Sequence, residues 1–296
     1  MKRRYATADV FTTVAFAGNP VAVVLDADGL TDTQMQALAV EFNYIETTFV
    51  LPPADPAHTA RVRIFTPDRE LAFAGHPNLG TAFLLARAMQ ASGGEVPDRF
   101  VFEEAAGLVP IELLREGSSV VGAELLAPQT LTRGGTLPPE RAAACLQLAA
   151  VDLCTEFHPP AVVSVGLPFL VMELASRDAL RRASPDRSAF AAVLPLDGAH
   201  SVYAYVRGVP GDEYDLHSRM FTGRMVEDPA TGSATAALTA YLTALGGEMV
   251  QLRVQQGADM GRPSTLQTRS VQTNTGIGTH LGGRCVSVFE GYFELS

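Results

Sequence analysis

Two glycine turns and two carboxylates are the places where this sequence could do chemistry. Gly75-His76-Pro77 and Gly232-Ser233 each open a stretch without charged side chains, Pro77–Ala86 and Ser233–Gly246. A helix that starts at such a turn presents unpaired backbone N–H groups and the positive end of its dipole. That combination holds an anion without help from a lysine. His76 and Ser233 are either ligands at those helix ends or caps of their own helices. Glu46 lies in the run Tyr44–Leu51, among Ile45, Thr47, Thr48 and Phe49. A lone carboxylate in such a strand is paired or has a raised pKa, and a raised one shuttles protons well. The other reading is a strand-end glutamate that reaches solvent or an arginine such as Arg63. Asp228, in Glu227-Asp228-Pro229, either belongs to an ordinary capping arrangement or faces a cleft, orienting His76 or a substrate amine or hydroxyl. Pro229 restricts Asp228 to extended geometry in both cases.

Composition excludes other chemistries. The 296 residues carry 22 Lys+Arg against 32 Asp+Glu, a net charge of −10. An acidic chain is unsuited to nucleic-acid backbones and to anionic membranes, so neither is expected as a partner. Lys2 is the single lysine, which argues against Schiff-base chemistry and against a P-loop. Cys145, Cys154 and Cys285 form no C-x-x-C pair, and the six histidines have no ligand spacing, so no metal is expected. There is no G-x-S-x-G elbow and no G-x-G-x-x-G loop. Without a signal-type segment or a long apolar run, the expected location is the cytoplasm.

The elements that must position these residues read as α+β. Strands are expected at Val21–Leu25, Tyr44–Leu51 and Ala60–Phe65, and a helix at Thr31–Phe42 with Thr31 as its cap. The two charge-free segments have no solvent face and must be enclosed, most simply by a sheet curled around each. They also lie in a repeat. Arg63-Ile64-Phe65-Thr66 leads to Ala74-Gly75-His76-Pro77, and Arg219-Met220-Phe221-Thr222 leads to Thr231-Gly232-Ser233-Ala234. Two pseudo-symmetric domains follow, 1–127 and 128–283, with 284–296 as a strand that could return to the first. Ala127–Pro139, rich in Pro, Gly and Thr, reads as the passage between them. Further on, a helix is expected at Pro139–Leu148, strands at Ala161–Val165, Phe169–Glu173 and Val202–Val206, and a helix opening near Asp186. Cys285–Leu295 reads as a terminal strand or pair. The loop Gln256-Gly257…Gly261-Arg262-Pro263 reads as fixed, with Arg262 tying it to its own domain or to a carboxylate.

These motifs, in order, resemble the PhzF-like proteins of phenazine biosynthesis. The resemblance rests on Asp9-Val10-Phe11, Phe16-Ala17-Gly18-Asn19-Pro20, Ile45-Glu46-Thr47-Thr48-Phe49, Phe65-Thr66-Pro67, Gly75-His76-Pro77, Glu227-Asp228-Pro229-Ala230-Thr231-Gly232-Ser233-Ala234 and Gln256-Gly257…Gly261-Arg262-Pro263. It implies a diaminopimelate-epimerase-like fold, with two domains each wrapping a sheet around a central helix and the site in the cleft between them. It also implies a cofactor-free isomerase, a homodimer, acting on a small carboxylic acid. In the best-understood branch this is dihydro-hydroxyanthranilate, on which a proton moves between ring carbons. By the same carry-over Glu46 is the proton-transfer residue, and His76, Asp228, Ser233, Gly75, Gly232 and Asn19 contact the substrate. Ile45 stands where the family often has Ser, and Ala74 where Gly is frequent, so the pocket differs in shape.

Epimerases and racemases on this fold use two cysteines, one at each helix start. His76 and Ser233 occupy those turns here, which argues against two-thiol stereoinversion. The competing reading is a non-catalytic small-acid-binding or interaction protein on the same scaffold.

Overall fold

Thr31 does cap its helix. Its hydroxyl accepts from the Gln34 amide while the Gln34 side chain accepts from the Thr31 N–H, a reciprocal arrangement that satisfies two otherwise orphaned donors. The structure, a computed structural model, describes residues 2–295. Its internal contacts divide the chain into two units, Met1–Leu126 with Gly282–Ser296, and Ala127–Leu281.

The first unit begins with β1 (Lys2–Val10), β2 (Asn19–Val24), α1 (Asp32–Phe42), β3 (Glu46–Leu51), β4 (Ala60–Phe65) and β5 (Glu70–Leu71). It continues with α2 (Gly75–Ala91), β6 (Arg99–Glu104), β7 (Gly107–Glu116) and β8 (Ser119–Leu126). The second unit holds β9 (Thr132–Thr136), α3 (Pro139–Ala144), β10 (Ala161–Ser164), β11 (Pro168–Glu173), α4 (Arg177–Arg182) and α5 (Arg187–Val193). It ends with β12 (Val202–Arg207), β13 (Leu216–Phe221), β14 (Glu227–Asp228), α6 (Gly232–Gly246), β15 (Gln251–Gln256) and β16 (Ser264–Thr273). Strand β17 (Gly276–Glu294) starts in the second unit and finishes in the first.

Pairing in the first unit runs in a circuit. β1 lies between β2 and β17, with Val10 opposite both Asn19 and Cys285. β2 is parallel to β3, β3 antiparallel to β4, and β4 parallel to β6. β6, β7 and β8 form a meander, and β8 returns to β17. α2 packs on β1, β2, β3, β7 and β8 and is buried without a break from His76 to Leu84. Close approach depends on Gly80. A Cβ there would lie 2.4 Å from Val21 Cγ1 and 2.9 Å from Val10 Cγ2.

The second unit pairs β9, β10, β11, β12, β13, β15 and β16 in that order, with β11–β12 and β13–β15 parallel. α6 packs on β10, β11, β15 and β16. Both long helices bury threonines, and one arrangement satisfies them. Thr81, Thr235 and Thr239 each donate to the carbonyl four residues earlier. Thr81 also meets Thr48 at 2.7 Å, and Thr239 meets Thr268 at 2.7 Å. Hydroxyls paired in this way can be buried where a charge could not.

Four sequence expectations are corrected. Ala127–Pro139 is no simple passage: Thr132–Thr136 is a strand paired with β10, because its threonines favour extended backbone and Gly134, inside the strand, allows a close approach to Asp197 and Val162 that a Cβ would block. The helix from Pro139 ends at Ala144 rather than Leu148, and Gln147 is left-handed with φ 55°. The terminal strand extends back to Gly276, well before Cys285. Strand β3 begins at Glu46, not Tyr44. Asn43 turns the chain out of α1 in left-handed geometry (φ 53°), and residues 44–45 bend before the strand starts.

Candidate active site

That last correction decides how Glu46 is placed. As the first residue of β3, opposite Val21, it stands at the mouth of the strand with 13% of its side chain exposed. Arg63 does not reach it, being spent on Asp32 at 2.6 Å and Glu70 at 2.7 Å. Its neighbour is His76, in the first turn of α2, with Nδ1 3.3 Å from Glu46 Oε2. The other ring nitrogen, Nε2, lies 3.3 Å from the Pro20 carbonyl. A carbonyl can only accept, so Nε2 carries the hydrogen. Burial pushes the imidazole down to about 4, against a smaller upward effect of Pro20. Neutral His76 therefore turns its Nδ1 lone pair toward Glu46.

His76 is not a cap. Ala74 occupies the cap position of α2, and no side chain makes a capping bond there. Gly75 is half-buried at the helix start, and Asn19 is fully buried where β2 begins. The structure thus brings Glu46, His76 and Gly75 together, with Asn19 next to the Pro20 carbonyl that orients His76.

In the second unit Asp228 closes β14 opposite Met220 and is almost fully buried. Its Oδ2 accepts from Thr231 Oγ1 at 2.5 Å. Gln256 Nε2 donates to the Asp228 carbonyl at 2.8 Å and to Thr231 Oγ1 at 2.9 Å. Gln256 Oε1 accepts from the Thr231 N–H at 3.1 Å. Thr231 stands at the cap position of α6 but does not cap it, because its hydroxyl is committed to Asp228. Ser233 does not cap it either, and lies half-buried in the first turn beside buried Gly232. The Asp228 carboxylate is thus bonded to Thr231 within its own unit. Gly257 fixes the adjoining loop: it has φ +76°, and a Cβ would lie 2.5 Å from the Pro229 carbonyl.

Sequence reasoning missed Thr231 and Gln256 as the partners of Asp228. Both stood inside recognised motifs, yet nothing in their spacing says that residues 25 apart share a bond. Among the described residues there is no group of three or more His, Cys, Asp or Glu that could hold a metal ion. Nor is any helix among them long and apolar enough to cross a membrane.

The family profile described as phenazine biosynthesis-like protein (PhzC-PhzF) matches residues 8–291. An uncharacterized isomerase of Mesorhizobium japonicum is 38% identical over 298 residues, covering 98% of both chains. The trans-2,3-dihydro-3-hydroxyanthranilate isomerase of Pseudomonas aeruginosa is 36% identical over 274 residues, 90% of each. A PhzF-family protein of Bacillus anthracis superposes with a TM-score of 0.86 at 24% identity, covering 100% of both chains, so the fold is shared.

Proposed function

The chain belongs to the phenazine biosynthesis-like PhzF family and is an isomerase, and from that premise we propose that it moves a proton on a small cyclic carboxylic acid, without a cofactor, using Glu46 as acid and base. The observation that carries this reading is the Glu46–His76 contact of 3.3 Å at the start of α2. A carboxyl beside a neutral imidazole can give up a proton and take one back, because Nδ1 accepts a hydrogen bond from the acid form. The Pro20 carbonyl keeps the ring from turning.

The substrate carboxylate makes the proton on the neighbouring, or vinylogous, carbon acidic enough to remove. Uncapped amides at Gly75 and Gly232 suit such an anion. The residues of the second unit, Ser233 and the Asp228–Thr231–Gln256 group, are assigned to substrate binding in the same reaction. Their support is the repeat that places both helix starts after matching strands, a pattern that also fits two pseudo-symmetric domains. We assign the protein to the cytoplasm, and as a homodimer, a state that light scattering on the purified chain would test.

Deuterium incorporation decides the reading. With trans-2,3-dihydro-3-hydroxyanthranilate as probe in D2O, the wild type is expected to exchange ring protons and Glu46→Gln to bind without exchange. Binding without exchange by the wild type would instead identify a small-acid-binding protein.

A further inference from the structure

Glu227 and Asp228 make up β14 and face opposite ways, as neighbours in a strand do. Asp228 bonds to Thr231, and Glu227 bonds to Arg219 of β13. Arg219 grips that carboxylate with two parallel bonds, Nε to Oε1 at 2.8 Å and Nη2 to Oε2 at 2.7 Å. Its third nitrogen, Nη1, donates to the Leu180, Arg181 and Ala183 carbonyls at 3.0, 3.1 and 2.8 Å, where α4 ends. The guanidinium also lies over the Phe221 ring, 4.8 Å from its centre. Only arginine has a planar fork that can meet a carboxylate on one side and carbonyls on the other.

The start of α4 holds the other flank of Asp228. Arg177, its first residue, forms a second fork with Asp259, Nη1 to Oδ2 at 2.7 Å and Nη2 to Oδ1 at 3.0 Å. Asp259 sits in the single helical turn Ala258–Met260, between Gly257 and Gly261. That loop begins beside Gln256, whose amide donates to the Asp228 carbonyl. It leads to Ser264, whose hydroxyl donates to the Pro229 carbonyl at 3.0 Å. One short helix thus ties down both the strand that ends in Asp228 and the loop that backs it.

Arg219 and Glu227 are only 11% and 14% exposed. Taking two charges out of water costs about as much as their attraction returns, so such a pair is a poor source of stability; its best-attested use is to fix one arrangement over its alternatives. The first unit repeats the fork. Arg63 binds Glu70 through Nε and Nη2, both at 2.7 Å, and Phe65 lies opposite Glu70 as Phe221 lies opposite Glu227. There the third nitrogen goes to Asp32 rather than to carbonyls, and the residue after the glutamate is Leu71. In the second unit that residue is Asp228. We propose that Arg219 is a positioning residue: anchored on the carbonyls that end α4, it holds Glu227, and through β14 it sets the Asp228 carboxylate in its place for the substrate. The proposal rests on the isomerase reading, in which Asp228 binds substrate, and deepens it.

Arg219→Lys keeps the charge but loses the fork, and hydrogen exchange by NMR on the full-length variant tests the proposal without substrate. Exchange at the Thr231 N–H, which donates to Gln256, should speed up about tenfold relative to the amides of β10. A uniform change across the unit, or none, would overturn the proposal. Turnover of trans-2,3-dihydro-3-hydroxyanthranilate gives the second reading. KM should rise about tenfold, the worth of one weakened charged hydrogen bond, with a smaller change in kcat. An arginine that served only the fold would lower the folded fraction, and so the apparent kcat, at unchanged KM; that result also overturns the proposal. Glu227→Gln keeps the size of its side chain and leaves Arg219 on its carbonyls, and it should give both readings if the lysine variant does not fold. The isomerase reading fails separately, by absence of ring-proton exchange in the wild type.

Discussion

Glu46 Oε2 and His76 Nδ1 stand 3.3 Å apart, one at the first residue of β3 and the other in the first turn of α2 in the same unit. Neither element could hold the pair alone. The parallel β2–β3 register sets Val21 opposite Glu46, and the neighbouring Pro20 carbonyl fixes the imidazole.

Glu46→Gln should lower exchange at the substrate carbon by about 10²–10⁴-fold, the usual contribution of a positioned acid or base. Its amide still offers a donor to Nδ1, so the thermal midpoint should change little. Calorimetry beside the exchange assay separates lost chemistry from lost fold.

His76 should make the protein sensitive to acid. The unfolded imidazole takes up a proton near 6.5 and the buried one only near 4. Stability from this residue is therefore complete above pH 6.5 and is lost as pH falls toward 4, on the order of 3 kcal/mol. Urea unfolding at pH 7 and pH 4.5 should show a larger loss for the wild type than for His76→Gln.

Thr231→Val keeps the shape of the side chain but removes the donor to Asp228 and the acceptor for Gln256. A hydrogen bond to a charged group is worth about 1.5–3 kcal/mol, and denaturant unfolding should show a loss of that size. KM should rise more than kcat falls, because Asp228 is assigned to binding.

Two glycines should respond oppositely to alanine. Gly80→Ala drives a methyl into Val21 and Val10 and should cost about 1–3 kcal/mol as overpacking, with lowered turnover as α2 shifts from β2. Gly246, with nothing within 4 Å of its added Cβ, should accept alanine with a gain of about 0.5–1 kcal/mol. Thermal melts of both variants check the contrast.

The cysteines should prove dispensable to the reaction. Cys145 and Cys285 are buried, with thiols pushed up to about 11 and about 12 by burial. Iodoacetamide on the native protein should label Cys154 alone, as mass spectrometry would show. Exchange should survive Cys154→Ala.

Much of the framework was legible along the chain because its causes are local. The Thr31–Gln34 capping box, the strands at Val21 and Ala60, and the two charge-free helices follow from neighbouring residues. Harder to foresee was the start of β3, since Asn43 in left-handed geometry depends on how α1 ends. The partners of Asp228 escaped as well, although each lay in a quoted motif.

By itself the order of residues determined which segments must be buried, where the two charge-free helices could begin, and that Glu46 stood in apolar company. Folding decided the pairings: Glu46 with His76 rather than with Arg63, and Asp228 with Thr231 and Gln256. Burial and helix starts follow from residue type and short-range spacing. A carboxylate's choice of partner depends on distances of a few ångströms between strands and helices far apart in sequence, and packing alone sets those distances.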